Sequence, residues 1–209
     1  MQLAVLTDNV LKDELLNTGL QKETEIKWIS SVEEFLQHNN ADAFIDLLFL
    51  PETNRIEILK SLSPKPVFIN DPLSKKPAGS AFIRFNGWPT MLRRNILEAS
   101  ITDESEKVEA EEVISALNRT AEWTPDIPGF ISARVLAMII NEAYFAFGEG
   151  VSTKKEIDIA MKLGTNYPYG PFEWSEKIGL KNIYELLAEL SKSGNQYEPA
   201  PELKNEALK

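Results

Sequence analysis

The chain changes its pattern once, and that change constrains the fold more than any other feature of the sequence. Up to about residue 118, short apolar segments alternate with amphipathic ones, which is typical of a parallel sheet flanked by helices. After the turn-forming segment 124–129 (TPDIPG), only helical patterns follow. We therefore predict an α/β domain over residues 1–125 and an all-α domain over residues 126–209.

Six segments of the first part have the composition of strands and four have that of helices. The predicted strands are 1–6, 26–29, 43–50, 66–70, 80–85 and 96–101. The predicted helices are 9–17, 30–38, 51–63 and 103–118. In the second part we predict helices at about 130–148, 152–164, 171–178 and 181–193, with a polar tail after residue 194.

Charge and residue usage exclude several classes of function. The 32 acidic and 22 basic side chains give a formal charge of −10, which disfavours nucleic acid as a partner. There is no cysteine and one histidine, His38, so disulfides, cysteine nucleophiles and metal sites built from His and Cys are excluded. We expect His38 to have a structural role near the end of a surface helix. No export or membrane-spanning pattern occurs, and we expect a cytoplasmic protein that binds neither metal nor membrane.

Glycine is scarce where a dinucleotide would need it. Of the 10 glycines, only Gly19 precedes residue 79. Dinucleotide-binding loops place glycines directly after the first strand, so that backbone N–H groups can approach the pyrophosphate at a helix N-terminus. This chain has residues 7–12 (TDNVLK) there, with Asp8 where a phosphate would lie. The acid that would hold a ribose could be sought in Glu23 or Glu25. Because the glycine loop is missing, we expect no dinucleotide to bind even so.

The second part carries an ordered series of motifs that resembles a known family. The segments are 126–134 (DIPGFISAR), 141–143 (NEA), 149–151 (EGV), 158–164 (DIAMKLG), 168–173 (PYGPFE) and 197–203 (YEPAPEL). Together they resemble the C-terminal domain of 3-hydroxyacyl-CoA dehydrogenases. The resemblance implies a shortened, degenerate Rossmann-like sheet domain followed by a helical dimerisation domain, with a homodimer formed through residues 130–190.

The catalytic positions of that family are changed in this sequence. Residues 85–91 (FNGWPTM) resemble the family segment in which a catalytic histidine and glutamate lie. The alignment places Ile83 at the histidine, Asn95 at the glutamate and Ala133 at the catalytic asparagine. In the family the histidine takes the proton of the 3-hydroxyl while hydride passes to NAD, and isoleucine cannot accept a proton. Only Glu98, if the alignment shifts by three residues, and Asn86 remain as weak catalytic candidates.

Three hypotheses follow from these observations. The first is a dimeric homologue that has lost NAD binding and hydride transfer and binds an acyl-CoA or a partner. The second is an active NAD-dependent 3-hydroxyacyl-CoA dehydrogenase of fatty-acid or aromatic-acid degradation that uses displaced residues. The third is a purely structural assembly protein. The residues predicted to line an acyl-CoA cleft are Arg84, Asn86, Arg93, Arg94, Ser132 and Arg134, with Lys75 and Lys76 as a further basic pair.

Overall fold

The chain forms two compact units. The computed structural model describes residues 1–75 and 77–209, so Lys76 of the predicted basic pair lies outside the described residues. The units are Met1–Phe130 and Ile131–Lys209, a division five residues later than the one predicted from sequence. The linker belongs to the first unit because Asp126 pairs with Arg84 and the Gly129 N–H donates to the carbonyl of Pro72 at 2.8 Å.

The first unit contains a seven-stranded sheet with the order β2-β1-β3-β4-β5-β6-β7. All neighbouring strands are parallel except β5 and β6, which are antiparallel. The strands are β1 (Gln2–Leu6), β2 (Glu25–Ile29), β3 (Ala43–Asp46), β4 (Val67–Asn70), β5 (Ile83–Phe85), β6 (Ile96–Ser100) and β7 (Thr120–Trp123). Six of them match predicted segments, and β7 was not predicted. It is an edge strand that alternates exposed Thr120 and Glu122 with half-buried neighbours, so it lacks an apolar run.

Helices cover both faces of this sheet. They are α1 (Asn9–Leu16), α2 (Thr53–Lys60) and α3 (Lys107–Ala116), with short 3-10 helices at Val32–Gln37 and Glu104–Glu106. One apolar cluster joins β1, β3, β5 and β6 to α1 and α3, and a second joins the opposite face to α2 and the Val32–Gln37 helix. Burial on both faces explains why the parallel strands are nearly continuous apolar runs.

The predicted helix at 30–38 is a 3-10 helix instead. Only Phe35 of this segment is buried, and its ring packs edge-on against Phe44 with centroids 5.6 Å apart. A single anchoring side chain favours a short, tight turn over a longer helix. His38 directly follows this turn, and its N–H donates to the Phe35 carbonyl at 3.1 Å.

The second unit contains five α-helices and a short 3-10 helix at Asn195–Tyr197. The α-helices are α4 (Ser132–Gly148), α5 (Lys154–Thr165), α6 (Pro171–Ile178), α7 (Leu180–Ser191) and α8 (Pro201–Ala207). The predicted polar tail therefore contains a helix, α8, which buries Leu203 completely. The side chain of Asn141 holds the segment before α8, since its Nδ2 donates to the Glu198 carbonyl at 2.9 Å and its Oδ1 accepts from the Ala200 N–H at 2.8 Å. Across the described residues, no helix is both long and apolar enough to cross a membrane.

A buried ion pair closes the end of β3. The Asp46 carboxylate is fully buried and accepts from Arg55 Nε at 2.7 Å and Nη2 at 2.5 Å. Burial raises the pKa of Asp46, and the hydrogen bonds and charge of Arg55 act in the opposite direction. Removing one partner of such a pair leaves an uncompensated charge in the interior.

We expect Arg55→Ala to destabilise the protein by roughly 3–5 kcal/mol at neutral pH. Because the folded-state pKa of Asp46 lies above its unfolded value, the folded variant takes up a proton first as the pH falls. The penalty should therefore shrink as the pH falls from neutrality towards the ordinary pKa of aspartate, about 4. Urea unfolding of Arg55→Ala and of the partly exposed control Lys60→Ala measures this, and a pH-independent penalty or equal losses would contradict it.

Candidate functional site

The carboxyl edge of the sheet is the place where an open α/β fold binds ligands. Strands β2 and β3 flank β1 on opposite sides, so the strand order reverses beside β1. Crevices at such reversals hold nucleotides in related architectures. The residues at this edge therefore decide which ligands the first unit can take.

The N-terminus of α1 is capped by a side chain of the chain itself. Asp8 follows β1, has an extended backbone, and accepts a hydrogen bond from the Leu11 N–H at 2.8 Å. The N–H groups and dipole at a helix N-terminus are what attract phosphate. Here the carboxylate of Asp8 uses one of those N–H groups and brings its own negative charge.

The two acids considered for a ribose lie at the wrong end of β2. Glu25 is its first residue and pairs in register with Gln2, and Glu23 precedes it. At the carboxyl end, Ile29 is followed by Ser30, whose N–H donates to Glu34 at 3.1 Å. Neither Glu23 nor Glu25 is placed to contact a ligand at the carboxyl edge.

Asn70, at the end of β4, ties two loops of this edge together. Its Nδ2 donates to the carbonyls of Leu47 and Gly87 at 3.0 and 3.1 Å, and its Oδ1 accepts from the Gly87 N–H at 2.8 Å. A Cβ at position 87 would lie 2.7 Å from the Phe85 ring and 2.8 Å from Asn70 Cγ, so only glycine fits. The sequence analysis did not predict these contacts of Asn70. The isolated Gly87 was a signal that another group approaches the backbone closely at this position.

The two weak catalytic candidates, Asn86 and Glu98, contact each other. The Asn86 N–H donates to the Glu98 carbonyl at 2.9 Å, and Asn86 Nδ2 donates to Glu98 Oε2 at 3.2 Å. Both are buried, with Glu98 4% exposed, and Arg94 Nη2 lies 3.4 Å from Glu98 Oε1. The three side chains form a polar cluster just beyond β5.

This contact follows from the antiparallel register of β5 and β6. The pair is 12 residues apart, the same separation as between Ile83 and Asn95 (95 − 83 = 12). Ile83 is buried in an apolar cluster, and Asn95 lies in the loop before β6, where its carbonyl accepts from the Thr120 N–H. The residues in contact, Asn86 and Glu98, therefore lie three positions after Ile83 and Asn95, which align with the catalytic histidine and glutamate of the family.

Arg84, a predicted cleft residue, is 0% exposed and serves the packing of the loops. Its Nε and Nη2 donate to the Asp71 carbonyl at 3.1 and 2.7 Å, and its Nη1 donates to the Asp126 carboxylate. The guanidinium also lies 4.9 Å from the centroid of the Phe130 ring. These partners hold the linker against the end of β4.

Arg93 and Arg94 are the more accessible cations of this region. Their side chains are 54% and 38% exposed, and Arg93 Nε lies 3.8 Å from Glu14. They line an open cavity of about 580 Å³ together with Asn95, Ile96, Glu98 and Glu122. The cavity has cations at its rim and the buried carboxylate of Glu98 in its wall, so it is suited to a ligand that carries both anionic and hydrogen-bond-donating groups.

The remaining candidates lie in the second unit, at the start of α4. Ser132 is the first residue of that helix and is half-buried, and Ala133 is fully buried. The Arg134 guanidinium lies 5.6 Å from the centroid of the Tyr197 ring.

An apolar groove of about 670 Å³ runs between α4 and α5 in the second unit. Its apolar walls include two methionines, which adapt readily to the shape of a neighbour. The lining residues are Arg134, Val135, Met138, Ile139, Glu142, Ala143, Ala146, Ile157, Met161, Pro171, Gln196 and Tyr197.

A structural role for Arg84 predicts a large loss of stability on its removal. Arg84→Ala should lower the free energy of unfolding by roughly 3–5 kcal/mol, since Asp126 and the Asp71 carbonyl lose a buried cation. Lys181→Ala, which removes a cation from an exposed pair with Glu185, should cost about 0–1 kcal/mol. Urea unfolding measures both, and equal effects would show that Arg84 is not a structural anchor.

Comparison with known proteins gives a consistent family. The model of the 3-hydroxyacyl-CoA dehydrogenase C-terminal domain matches residues 129–209. A probable 3-hydroxybutyryl-CoA dehydrogenase of Bacillus subtilis (strain 168) is 28% identical over 208 residues, covering 89% of this chain and 72% of the relative. The 3-hydroxyadipyl-CoA dehydrogenase of Escherichia coli (strain K12) is 36% identical over 115 residues, covering 54% of this chain but only 24% of that protein.

A solved structure extends the likeness of the fold to nearly the whole chain. The (S)-3-hydroxybutyryl-CoA dehydrogenase PaaH1 from Ralstonia eutropha superposes with a TM-score of 0.74 at 18% identity, covering 98% of this chain and 92% of that one. The predicted fold class, a Rossmann-like sheet followed by a helical unit, is thereby confirmed. Residues 129–209 therefore match the C-terminal domain of the 3-hydroxyacyl-CoA dehydrogenases, and most of the chain is similar to curated dehydrogenases of that family.

Proposed function

We propose that this chain is a dimeric member of the family that has lost NAD binding and hydride transfer and binds an acyl-CoA thioester. The Asp8 cap on α1 is the observation that carries the proposal. It sets a carboxylate against the position of the pyrophosphate, and residues 7–12 offer no glycine for close approach. The residues present therefore do not fit NAD, and we derive no step through that cofactor.

The family's catalytic positions support the same conclusion. Dehydrogenation of a 3-hydroxyl group requires a base that accepts the hydroxyl proton as hydride leaves. Ile83 and Ala133 carry no titratable or hydrogen-bonding side-chain group, and the Asn95 amide is not a base at neutral pH. The positions aligned with the histidine, glutamate and asparagine thus supply no general base.

The cavity beside Arg93 and Arg94 supports binding of an acyl-CoA. The phosphates of coenzyme A are anionic, and these two arginines are the accessible cations at the cavity rim. The amide of Asn86 and the carboxylate of Glu98 lie next to them and supply polar contacts. The known activities of the relatives make short 3-oxoacyl and 3-hydroxyacyl thioesters the natural first probes.

A homodimer through residues 130–190 is the second part of the proposal. Two large apolar side chains on the second unit, Ile131 and Val135, are about half exposed at the start of α4. Together with the groove between α4 and α5 they form an apolar surface of the kind that marks protein interfaces. A purely structural assembly protein would use the same surface without any ligand.

The contact between Asn86 and Glu98 favours one alternative, an active dehydrogenase with displaced residues. A hydrogen-bonded pair at the same separation of 12 residues, three positions later, is what that alternative requires. This alternative also requires NAD to bind. A test of NAD binding therefore distinguishes the active dehydrogenase from the proposed acyl-CoA-binding function.

We expect neither NAD nor NADH to raise the melting temperature, and NADH absorbance to stay constant with acetoacetyl-CoA. The Asp8→Asn variant keeps a capping oxygen and should retain stability, whereas Asp8→Ala should lose about 1 kcal/mol. Thermal denaturation with and without each nucleotide measures these effects. A saturable upward shift, or NADH oxidation that Glu98→Gln abolishes, would establish the active dehydrogenase instead.

Acyl-CoA binding should depend on Arg93 and Arg94. Calorimetric titration with acetoacetyl-CoA should give saturable heat that weakens at least tenfold (about 1.4 kcal/mol) in the Arg93→Ala, Arg94→Ala double variant. The matched control is Lys181→Ala, Lys192→Ala, which removes the same charge from two exposed positions, one on α7 and one directly after it. Equal weakening in both would indicate a nonspecific charge effect, and no heat from any CoA thioester would favour the assembly function.

A further inference from the structure

We propose that Glu14 is a positioning residue, which holds Thr90 in a strained backbone conformation and thereby directs Arg93 and Arg94 towards the cavity. Thr90 and the two arginines belong to the segment 86–95, which joins β5 to β6 and which we call the β5–β6 loop. The inference rests on the proposed binding of an acyl-CoA at this cavity. It adds two residues, Glu14 and Thr90, that act on the ligand only through the arginines.

The backbone of Thr90 adopts a conformation that its side chain disfavours. Its φ is 76°, in the left-handed region, where a β-branched side chain crowds the backbone. A residue stays in such a conformation only where the surrounding structure holds it there, and strained residues of this kind cluster at ligand sites. Arg93 follows three residues later, so the conformation of Thr90 sets the path of the chain that carries the arginines.

The carboxylate of Glu14 holds the Thr90 backbone from the side of α1. Both of its oxygens accept from the Thr90 N–H, at 2.9 and 2.7 Å, and Glu14 is buried. An ionised acceptor makes a stronger hydrogen bond than a neutral one. The hydroxyl of Thr90 gives no comparable support, since its buried Oγ1 has no hydrogen-bond partner among the residues that the structure describes. The N–H of Thr90, and with it the positive φ, is therefore held by Glu14.

Two further side chains hold the β5–β6 loop beyond Thr90. The Nη2 of Arg119 donates to the carbonyl of Leu92, and the Nδ2 of Asn17 donates to the carbonyl of Arg93 at 3.3 Å. The side chain of Leu92 is fully buried. The backbone is thus fixed at positions 90, 92 and 93, while the guanidinium groups stay accessible at the cavity. A backbone that is ordered before the ligand arrives loses less entropy on binding.

The charge of Glu14 is a second route by which this residue can act on Arg93. Glu14 Oε1 lies 3.8 Å from Arg93 Nε, which is longer than a hydrogen bond, and the arginine side chain is largely exposed. We therefore assign the positioning to the hydrogen bond with Thr90. The two routes differ in what they require at position 14, since the hydrogen bond needs an acceptor at full reach and the ion pair needs a negative charge.

Two conservative variants of Glu14 separate these requirements. Glu14→Asp keeps the charge but is one methylene shorter, so it loses the Thr90 N–H and should weaken acetoacetyl-CoA binding about tenfold. Glu14→Gln keeps an acceptor oxygen at full reach and should bind within about threefold of the wild type. Calorimetric titration measures both affinities. Equal affinities of the two variants, or the opposite order, would overturn the assignment to the hydrogen bond.

Glycine at position 90 provides the sharper test. Glycine adopts a positive φ without a crowded Cβ, so it should remove the need for Glu14. Glu14→Ala should weaken acetoacetyl-CoA binding about tenfold, and Glu14→Ala, Thr90→Gly should recover to within about threefold of the wild type. The matched control is Glu14→Ala, Glu23→Gly, which places glycine at an equal φ of 76° just before β2 and should stay as weak as Glu14→Ala.

Folding of every variant is checked by circular dichroism and melting curves, and Glu14→Asp replaces Glu14→Ala in both double variants if the alanine variant does not fold. Recovery in neither double variant, or equal recovery in both, would overturn the positioning by Glu14 and leave acyl-CoA binding standing. No heat from the wild type with any CoA thioester would instead overturn the proposed function itself.

Discussion

The hydrogen bond from the Leu11 N–H to the Asp8 carboxylate holds a negative charge at the N-terminus of α1, on the carboxyl edge of the sheet. A helix N-terminus attracts anions because its first N–H groups lack partners within the helix and its dipole is positive there. Asp8 supplies such an anion from the chain itself at 2.8 Å. The same contact caps α1, an eight-residue helix that anchors Leu11 and Leu15 in the core. In the proposed function, the contact that stabilises this helix also disfavours a phosphate at its N-terminus.

Buried polar side chains hold the loops around this edge in a similar way. Arg119 is almost fully buried and donates to the carbonyls of Glu14, Leu15, Leu92 and Leu117, which joins the C-terminal end of α1 to two turns. Burial lowers its pKa to about 10, so the guanidinium stays charged at neutral pH and complements the negative end of the helix. Buried polar residues such as Arg119 and Arg84 therefore anchor loops in this chain.

Local pattern was enough to predict most elements, and long-range contacts explain what it missed. The strands β1, β3 and β4 can be recognised in the sequence as apolar runs because parallel strands are buried on both faces. The edge strand β7 and the helix α8 were not predicted. Both contain few buried residues, and charged residues (Glu122 in β7, lysines and glutamates in α8) interrupt the apolar pattern. Asp8 was recognisable from its position after the first strand. The burial of Arg84 was not, because its carboxylate partner Asp126 lies 42 residues away.

We propose that the N-terminus of α1 is closed to a dinucleotide, and a crystal structure of the protein grown with excess NADH tests this. We expect the Leu11 N–H still to donate to Asp8 in that structure, with no pyrophosphate density at the start of α1. A pyrophosphate bound there, with the Asp8 side chain displaced from Leu11, would contradict it.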